Sequence, residues 1–249
     1  MNALEKSLWI VNRLSAEDAP VSLSTLAKEL GMSRSGVFKI MSTLSANNFV
    51  LQDPKTKHYR LGVSLLRLGF EFENQLGVWD VAEMIVKELV EKYEASSVSI
   101  GIMEGGRPFL AYRVVGKEYS YYKVKQGVSY PIHASAIGKC LAAYMNRENL
   151  LALLAKAPLK KHTENTITDA DKLLEEYDAI RKNGYSVSYG EHFPLGTAVA
   201  APIEIRNEVR LCLSAGGLLP EFDREKIDRF IPILQGSANR IAEKMKYKY

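Results

Sequence analysis

Ser135 and Lys139 stand four residues apart in PIHASAIGKCLAAY, whereas a Ser-x-x-Lys nucleophile needs three. Gly138-Lys139 ends like a phosphate-binding loop, but such a loop also needs a glycine where this chain has His133. Cys140 follows His133 by seven residues, so the two share a helix face and a thiolate pair is conceivable. The apolar neighbours of Cys140 favour a buried, inert thiol instead. Glu191-His192 are neighbours in a loop-like stretch, too weak a pairing for acid–base work. His133, His162, His192, Cys140 and Cys212 show no recurring ligand spacing, and His58 has no partner nearby in sequence. Neither a catalytic residue nor a metal or cofactor is expected.

A second chemistry is concentrated near the N-terminus. From Gly31 to Gln52 there is no Asp or Glu. Within that stretch Ser33, Arg34, Ser35, Lys39, Ser42 and Thr43 fall off the apolar face of a helix carrying Val37, Ile40, Met41 and Leu44. Short hydroxyls bond phosphates or bases, and an arginine near the helix start can fork onto a guanine edge. Downstream, Lys55, Lys57 and Arg60 offer charges for phosphate. Ser22, upstream, is an N-cap candidate. Any amphipathic helix has a polar face, but one without acid is suited to DNA.

These residues need a scaffold, and the spacing supplies one. Leu4, Leu8, Val11 and Leu14 predict a helix over 3–15, ended by AEDAP, where Pro20 disfavours helix in the residue before it. Leu23, Leu26 and Leu30 make a short second helix, which Gly31 stops by taking the left-handed conformation. Ser33 caps a third. Ala27, four before Gly31, lets the helices cross closely, and Val37, six after it, plugs the corner. That is a helix-turn-helix rather than an ordinary helical hairpin. Phe49–Leu51 and His58–Leu61, with the turn Asp53-Pro54-Lys55-Thr56-Lys57 between them, add a wing. Residues 62–79 read as a connecting helix whose surplus of Leu65, Leu66, Leu68, Phe70 and Phe72 could pack on a partner chain.

The remainder alternates strands and helices. Helix 80–96 is amphipathic. Ser97–Met103 and Arg107–Val115 flank a Glu104-Gly105-Gly106 turn, and Tyr119–Val124 is a tyrosine-rich strand. His133–Tyr144, Asn149–Lys156, Ala170–Lys182 and Asp223–Met245 read as helices. Gly184–Ser188, Thr197–Ile205 and Val209–Ala215 read as strands. The expected class is α+β, with domains at 1–61 and 80–249. Composition agrees: 249 residues are 47% hydrophobic and 25% charged, ordinary for a globular chain. No apolar run reaches membrane-spanning length, no secretory leader is recognisable, and two cysteines are too few for a disulfide framework, all of which fit the cytoplasm. The net charge is +4, and all of that excess sits in the first 70 residues. A small basic module ahead of a neutral one fits a nucleic-acid reader joined to a sensor.

On the helix-turn-helix, on PIHASAIGKCLAAY at 131–144 and on IRKNGYSVSYGEHFPLGTAVAAPI at 180–203, the chain from about Leu4 to Ala242 resembles an IclR-type bacterial and archaeal transcription regulator. The resemblance implies a winged helix-turn-helix, a linker helix and a C-terminal antiparallel-sheet domain of GAF-like fold with flanking helices. It also implies a homodimer or homotetramer on a palindromic operator in double-stranded DNA, here read as a repressor, released by a small organic-acid effector. Effector contacts carried over from the family fall at Tyr119, Tyr122, Tyr130, Ala136, Ile137, Ser188, Ala198, Leu213 and Ala215, with Ser135 at the helix start. Where the small-acid-binding members have Asp, Cys and Ser, this chain has Ser188, Ala198, Leu213 and Ala215, and their helix-start Gly-Ala is Ala136-Ile137. That implies a less polar pocket. The expected pose puts an anionic end at the start of the 134–145 helix and an apolar or aromatic body toward the tyrosines. Two rivals stay open at this point: a GAF-like-domain enzyme fused to a DNA-binding module, and an architectural DNA binder without an effector.

Overall fold

A computed structural model describes residues 1–17, 19–93, 95–116, 127–156 and 158–246. The chain divides into two compact units, Met1–Leu76 and Gly77–Tyr249. The strand expected at Tyr119–Val124 lies outside the described residues.

The first unit holds α1 (Ala3–Ser15), α2 (Leu23–Leu30), α3 (Arg34–Ala46), β1 (Val50–Gln52), β2 (Tyr59–Leu61) and α4 (Val63–Leu76). The first three helices each start on a side-chain cap. Asn2 and Glu5 form a capping box on α1. Ser22 Oγ accepts from Thr25 N–H at 3.1 Å on α2, and Ser33 Oγ accepts from Gly36 N–H at 3.2 Å on α3. Gly31 ends α2 at φ +61°, where a side chain would be strained, and Met32 N–H donates back to Ala27 O at 3.0 Å. Nine residues fill the core of this unit: Ile10, Leu14, Val21, Leu26, Ala27, Val37, Met41, Val50 and Tyr59. Val37 is the corner plug that the sequence predicts. β1 pairs antiparallel with β2 in the register Val50↔Leu61, and Val21 adds a bridge to Tyr59. Arg13 ties α1 to α2 through Glu29 at 2.8 Å.

The second unit holds α5 (Trp79–Lys92), β3 (Ser97–Glu104), β4 (Arg107–Val115), α6 (Ala136–Ala143), α7 (Arg147–Ala155), α8 (Ala170–Asn183), β5 (Ser186–Tyr189), β6 (Gly196–Ile205), β7 (Glu208–Leu218) and α9 (Arg224–Lys246). The strands form one antiparallel sheet in the order β4-β3-β7-β6-β5. α6 lies on one face of it, with Cys140 and Leu141 in a core that includes Leu110, Ala200 and Cys212. Side chains that alternate with these, such as Leu211, Leu213 and Ala215, turn to the other face, along which α5 and α9 pack.

α6 seats closely because Gly101 of β3 has no side chain. A Cβ there would stand 2.5 Å from Ile137 Cγ2 and 2.8 Å from Cys212 Sγ. Gly101→Val is therefore expected to overpack this contact and cost about 1–3 kcal/mol. A thermal melt checks it, and an unchanged melting temperature would contradict the seat described.

Candidate functional site: a DNA-reading surface and a cavity

On the first unit, Ser33, Arg34, Ser35, Lys39, Ser42 and Thr43 of α3 are all exposed, while Val37 and Met41 point inward. The predicted polar face and apolar face thus separate. Ser42 Oγ donates to Phe38 O at 2.9 Å and Thr43 Oγ1 to Lys39 O at 3.2 Å, which leaves both oxygens as acceptors. Ser33 and Ser35 hydroxyls lie 3.2 Å apart. Phe38, exposed on the same helix, was not singled out by the apolar spacing. In the wing, Asp53 Oδ1 accepts from the Lys55 and Thr56 N–H groups, both at 2.8 Å. Those bonds, Thr56's foremost, hold the Asp53 carboxyl below its ordinary range. The one acid of the wing is thereby engaged with the turn, and Lys55, Lys57 and Arg60 are exposed around it. Ser22 is half-buried at the start of α2, where capping occupies its oxygen.

On the second unit, α6 begins one turn later than its sequence suggests. Ser135 is the N-cap and the helix runs from Ala136, so His133 and Ala134 belong to the preceding turn. His133 and Cys140 accordingly do not share a helix face. Burial, and then Cys212, pushes the Cys140 thiol well up, which leaves it inert. Ser135 Oγ accepts from Gly138 N–H at 2.9 Å and Lys139 N–H donates to Ser135 O at 2.8 Å. The Ala136 and Ile137 N–H groups come before the first intrahelical bond, so they and the helix dipole face outward from the helix start.

Three neighbours pin that start. Ser186 Oγ donates to Ala136 O at 2.7 Å, Ser188 Oγ to Ala134 O at 2.9 Å, and Tyr177 OH to Ile132 O at 3.1 Å. Beneath it lies a cavity of about 120 Å³. A water occupies about 30 Å³ of liquid, so this is room for a small organic molecule. Of the residues carried over from the resemblance, Tyr130, Ser135, Ala136, Ile137, Ser188 and Ala198 line it together. Leu213 and Ala215 do not. Strand alternation turns them to the opposite face and brings Ser214 and Gly216 to the cavity, a shift of one residue. Tyr119 and Tyr122 lie outside the described residues.

The lining is more polar than expected. Ser97 and Ser99 of β3, Arg113 of β4, Thr197 of β6 and Ser214 of β7 all contribute, as does His192. Arg113 Nη2 donates to Ser97 Oγ at 3.0 Å. A strict period of two in SVSIGIM puts Ser97, Ser99 and Gly101 on one face, and the same rule puts Cys212, Ser214 and Gly216 together. That signal was available in the sequence; the loose alternation hid which face is which.

Lys139 is 1% exposed, and its Nζ donates to Glu176 at 3.0 Å and Glu191 at 2.8 Å. The Ser135–Lys139 spacing therefore serves a cap and an ion pair. Glu191 belongs to the loop that carries His192 and Phe193 to the cavity, and Thr163 and Thr166 hydroxyls hold that loop through Gly190 O and Glu191 O at 2.6 and 2.7 Å. Three of the four histidines meet here, with His162 4.8 Å from His192 and 5.6 Å from His133 between ring centroids. Burial pushes both His162 and His192 below their ordinary value. Among the described residues, no group of three or more His, Cys, Asp or Glu is arranged to hold a metal, and no helix is long and apolar enough to cross a membrane.

Residues 3–54 match the IclR helix-turn-helix domain and residues 72–243 match the bacterial transcriptional regulator IclR C-terminal domain. The chain belongs to the IclR family of transcriptional regulators. It is 26% identical to the regulator KipR of Bacillus subtilis, over 97% of this chain and 96% of that one. It is 28% identical to the regulator BhcR of Paracoccus denitrificans, over 87% of this chain and 77% of that one. The Thermotoga maritima IclR structure is similar at a TM-score of 0.75 and 27% identity, covering 99% of this chain and 100% of that chain. An IclR homolog from Microbacterium hydrocarbonoxydans, complexed with 4-hydroxybenzoate, shares the fold at a TM-score of 0.84 and 18% identity, covering 99% of this chain and 100% of that chain. Membership in a family of regulators disposes of the enzyme reading, and Ser135, Lys139 and Cys140 are each accounted for without catalysis.

Burial pushes the Glu191 carboxyl up, and Lys139 opposes that. Lys139→Met is expected to cost about 3–5 kcal/mol by stranding the carboxylate. Its stability should also fall as pH rises from 5 to 8. The folded state then holds a proton at Glu191 that the unfolded chain has released, and that advantage is lost as pH passes the raised folded value. Melting temperatures across that range check the sign. A variant with the wild-type pH profile would contradict the pairing.

Proposed function

We propose that this regulator is a cytoplasmic repressor that binds a palindromic operator as a homodimer or homotetramer and is controlled by a small organic acid in the cavity beneath α6. The observation that carries the effector half is the pinned start of α6, whose N–H groups face a partly open cavity. The complex of a fold relative with 4-hydroxybenzoate, an acid, supports the ligand class. The wall formed by Tyr130 and Ile137 suits an apolar or aromatic body.

For DNA, α3 is the recognition helix, with Arg34 toward base edges and Ser33, Ser35, Lys39, Ser42 and Thr43 on phosphates or bases. Lys55, Lys57 and Arg60 of the wing neutralise backbone phosphates, and the start of α2, at Ser22, lies against the backbone. Arg34→Ala should cost about 1–3 kcal/mol of operator affinity and relax specificity at one position. Lys57→Ala should weaken all sequences alike and lower the salt slope by about one. Binding titrations at several salt concentrations read both, and unchanged affinity in both variants would remove α3 and the wing from the interface.

One winged module contacts few base pairs, so a palindrome needs two. Leu66, Leu68, Phe70 and Phe72 of α4 are exposed and form the proposed contact between copies. Light scattering should give a multiple of 27.9 kDa at micromolar concentration. A monomer with full operator affinity would contradict it.

Ala136→Asp sets a negative charge at the helix start and should abolish stabilisation by organic acids in thermal-shift measurements. If the variant is still stabilised by the same acid at the same concentration, the effector binds elsewhere.

A further inference from the structure

α3 carries one large side chain that its core contacts do not account for. Phe38 is 53% exposed. The other large apolar residues of the helix are taken up by the core of the first unit: Val37 and Met41 are buried in it, and Ile40 and Leu44 pack against it. At 3.6 residues per turn, Phe38 falls between Arg34 and Ser42 around the helix, with Ser35 and then Lys39 beyond Ser42. The ring therefore stands within the face that carries the polar residues.

Those surroundings indicate what the ring meets. Arg34, Ser35, Lys39 and Ser42 are exposed on the same face, and no Asp or Glu occurs from Gly31 to Gln52. That setting is complementary to a polyanion, whereas an apolar protein partner would have to desolvate two cations to reach one ring. Arg34 precedes Phe38 by about one turn, roughly 6 Å along the axis. Both lie in the N-terminal half of α3, the part that meets base edges when such a helix enters the major groove.

A phenyl ring neither donates nor accepts a conventional hydrogen bond. Against guanine N7 and O6, adenine N7 and N6, or the cytosine amino group, it would shut water off polar atoms and offer nothing in return. The major groove displays one apolar group, the C5-methyl of thymine. An exposed ring among DNA-reading residues is matched to that group.

On the reading that α3 is the recognition helix, we propose that Phe38 is a specificity-determining residue whose ring packs on the C5-methyl of a thymine in each half-site. The arginine and hydroxyl contacts assigned above read hydrogen-bonding edges or phosphates; this one reads a methyl group.

The test changes the DNA by one methyl at a time. The full chain selects duplexes from a random library, and each thymine of the selected site is then replaced by deoxyuridine, which keeps the Watson–Crick pair and the O4 acceptor. Loss of the methyl at one thymine per half-site should weaken binding about 4-fold, and about 15-fold when both symmetry-related methyls are removed. In Phe38→Ala and Phe38→Ser the thymine-to-deoxyuridine affinity ratio at those positions should fall to one, while preference for the selected site over an unrelated duplex persists. The ratio compares two duplexes on one protein, so a change in fold stability does not move it. If the selected site holds no thymine that responds to loss of its methyl, or if the response survives in either variant, the assignment is overturned while the recognition helix stands. If either variant no longer distinguishes the selected site from an unrelated duplex, the ring shapes α3 rather than reads a methyl, and the assignment is again overturned. If the full chain selects no duplex, the DNA-reading surface itself fails, and this inference with it.

Discussion

The buried ammonium of Lys139 is the constraint on which the sensor unit depends. An isolated charge at 1% exposure is untenable in a protein interior, so two carboxylates must come to it. Glu176 arrives from α8 and Glu191 from the loop between β5 and β6. One side chain on α6 thus fixes three elements that are distant in sequence. The loop so fixed carries His192 and Phe193, and its backbone carbonyls are held separately by Thr163 and Thr166. The cavity has the walls it has because that charge needed partners.

The start of α6 follows a complementary rule. Its carbonyls and those of the preceding turn are satisfied by hydroxyls from β5, from Ser135 and from Tyr177. Its first N–H groups face the space left open. Bonding these acceptors while leaving donors outward makes an anion site that needs no cationic side chain.

The DNA-reading unit is built on a smaller scale. Nine residues make its core, and each of its first three helices is capped by a side chain at its own start. Arg13 is consumed by Glu17 and Glu29, and Asp53 by its own turn, so the charges left outward on α3 and the wing are basic. The sign of that surface results from where the acids are engaged as much as from how many bases exist.

The helix-turn-helix could be read from the sequence because every signal in it is local. Ser22, Gly31, Ser33 and the apolar spacing act within one or two turns, and Val37 packs against helices that adjoin it. The Glu104-Gly105-Gly106 turn and the strands around it were legible for the same reason. The depth of Lys139, the meeting of three histidines and the choice of Ser214 over Leu213 at the cavity were not. The last depends on register between β3 and β7, where Ser97 pairs with Gly216 and Ser99 with Ser214. A one-residue slip there would exchange the two faces of the strand. Local preference is blind to such a slip. It is decided by which face can bury Leu211 and Leu213 against α5 and α9, and which can seat α6 over Gly101, conditions that exist only once the sheet has formed.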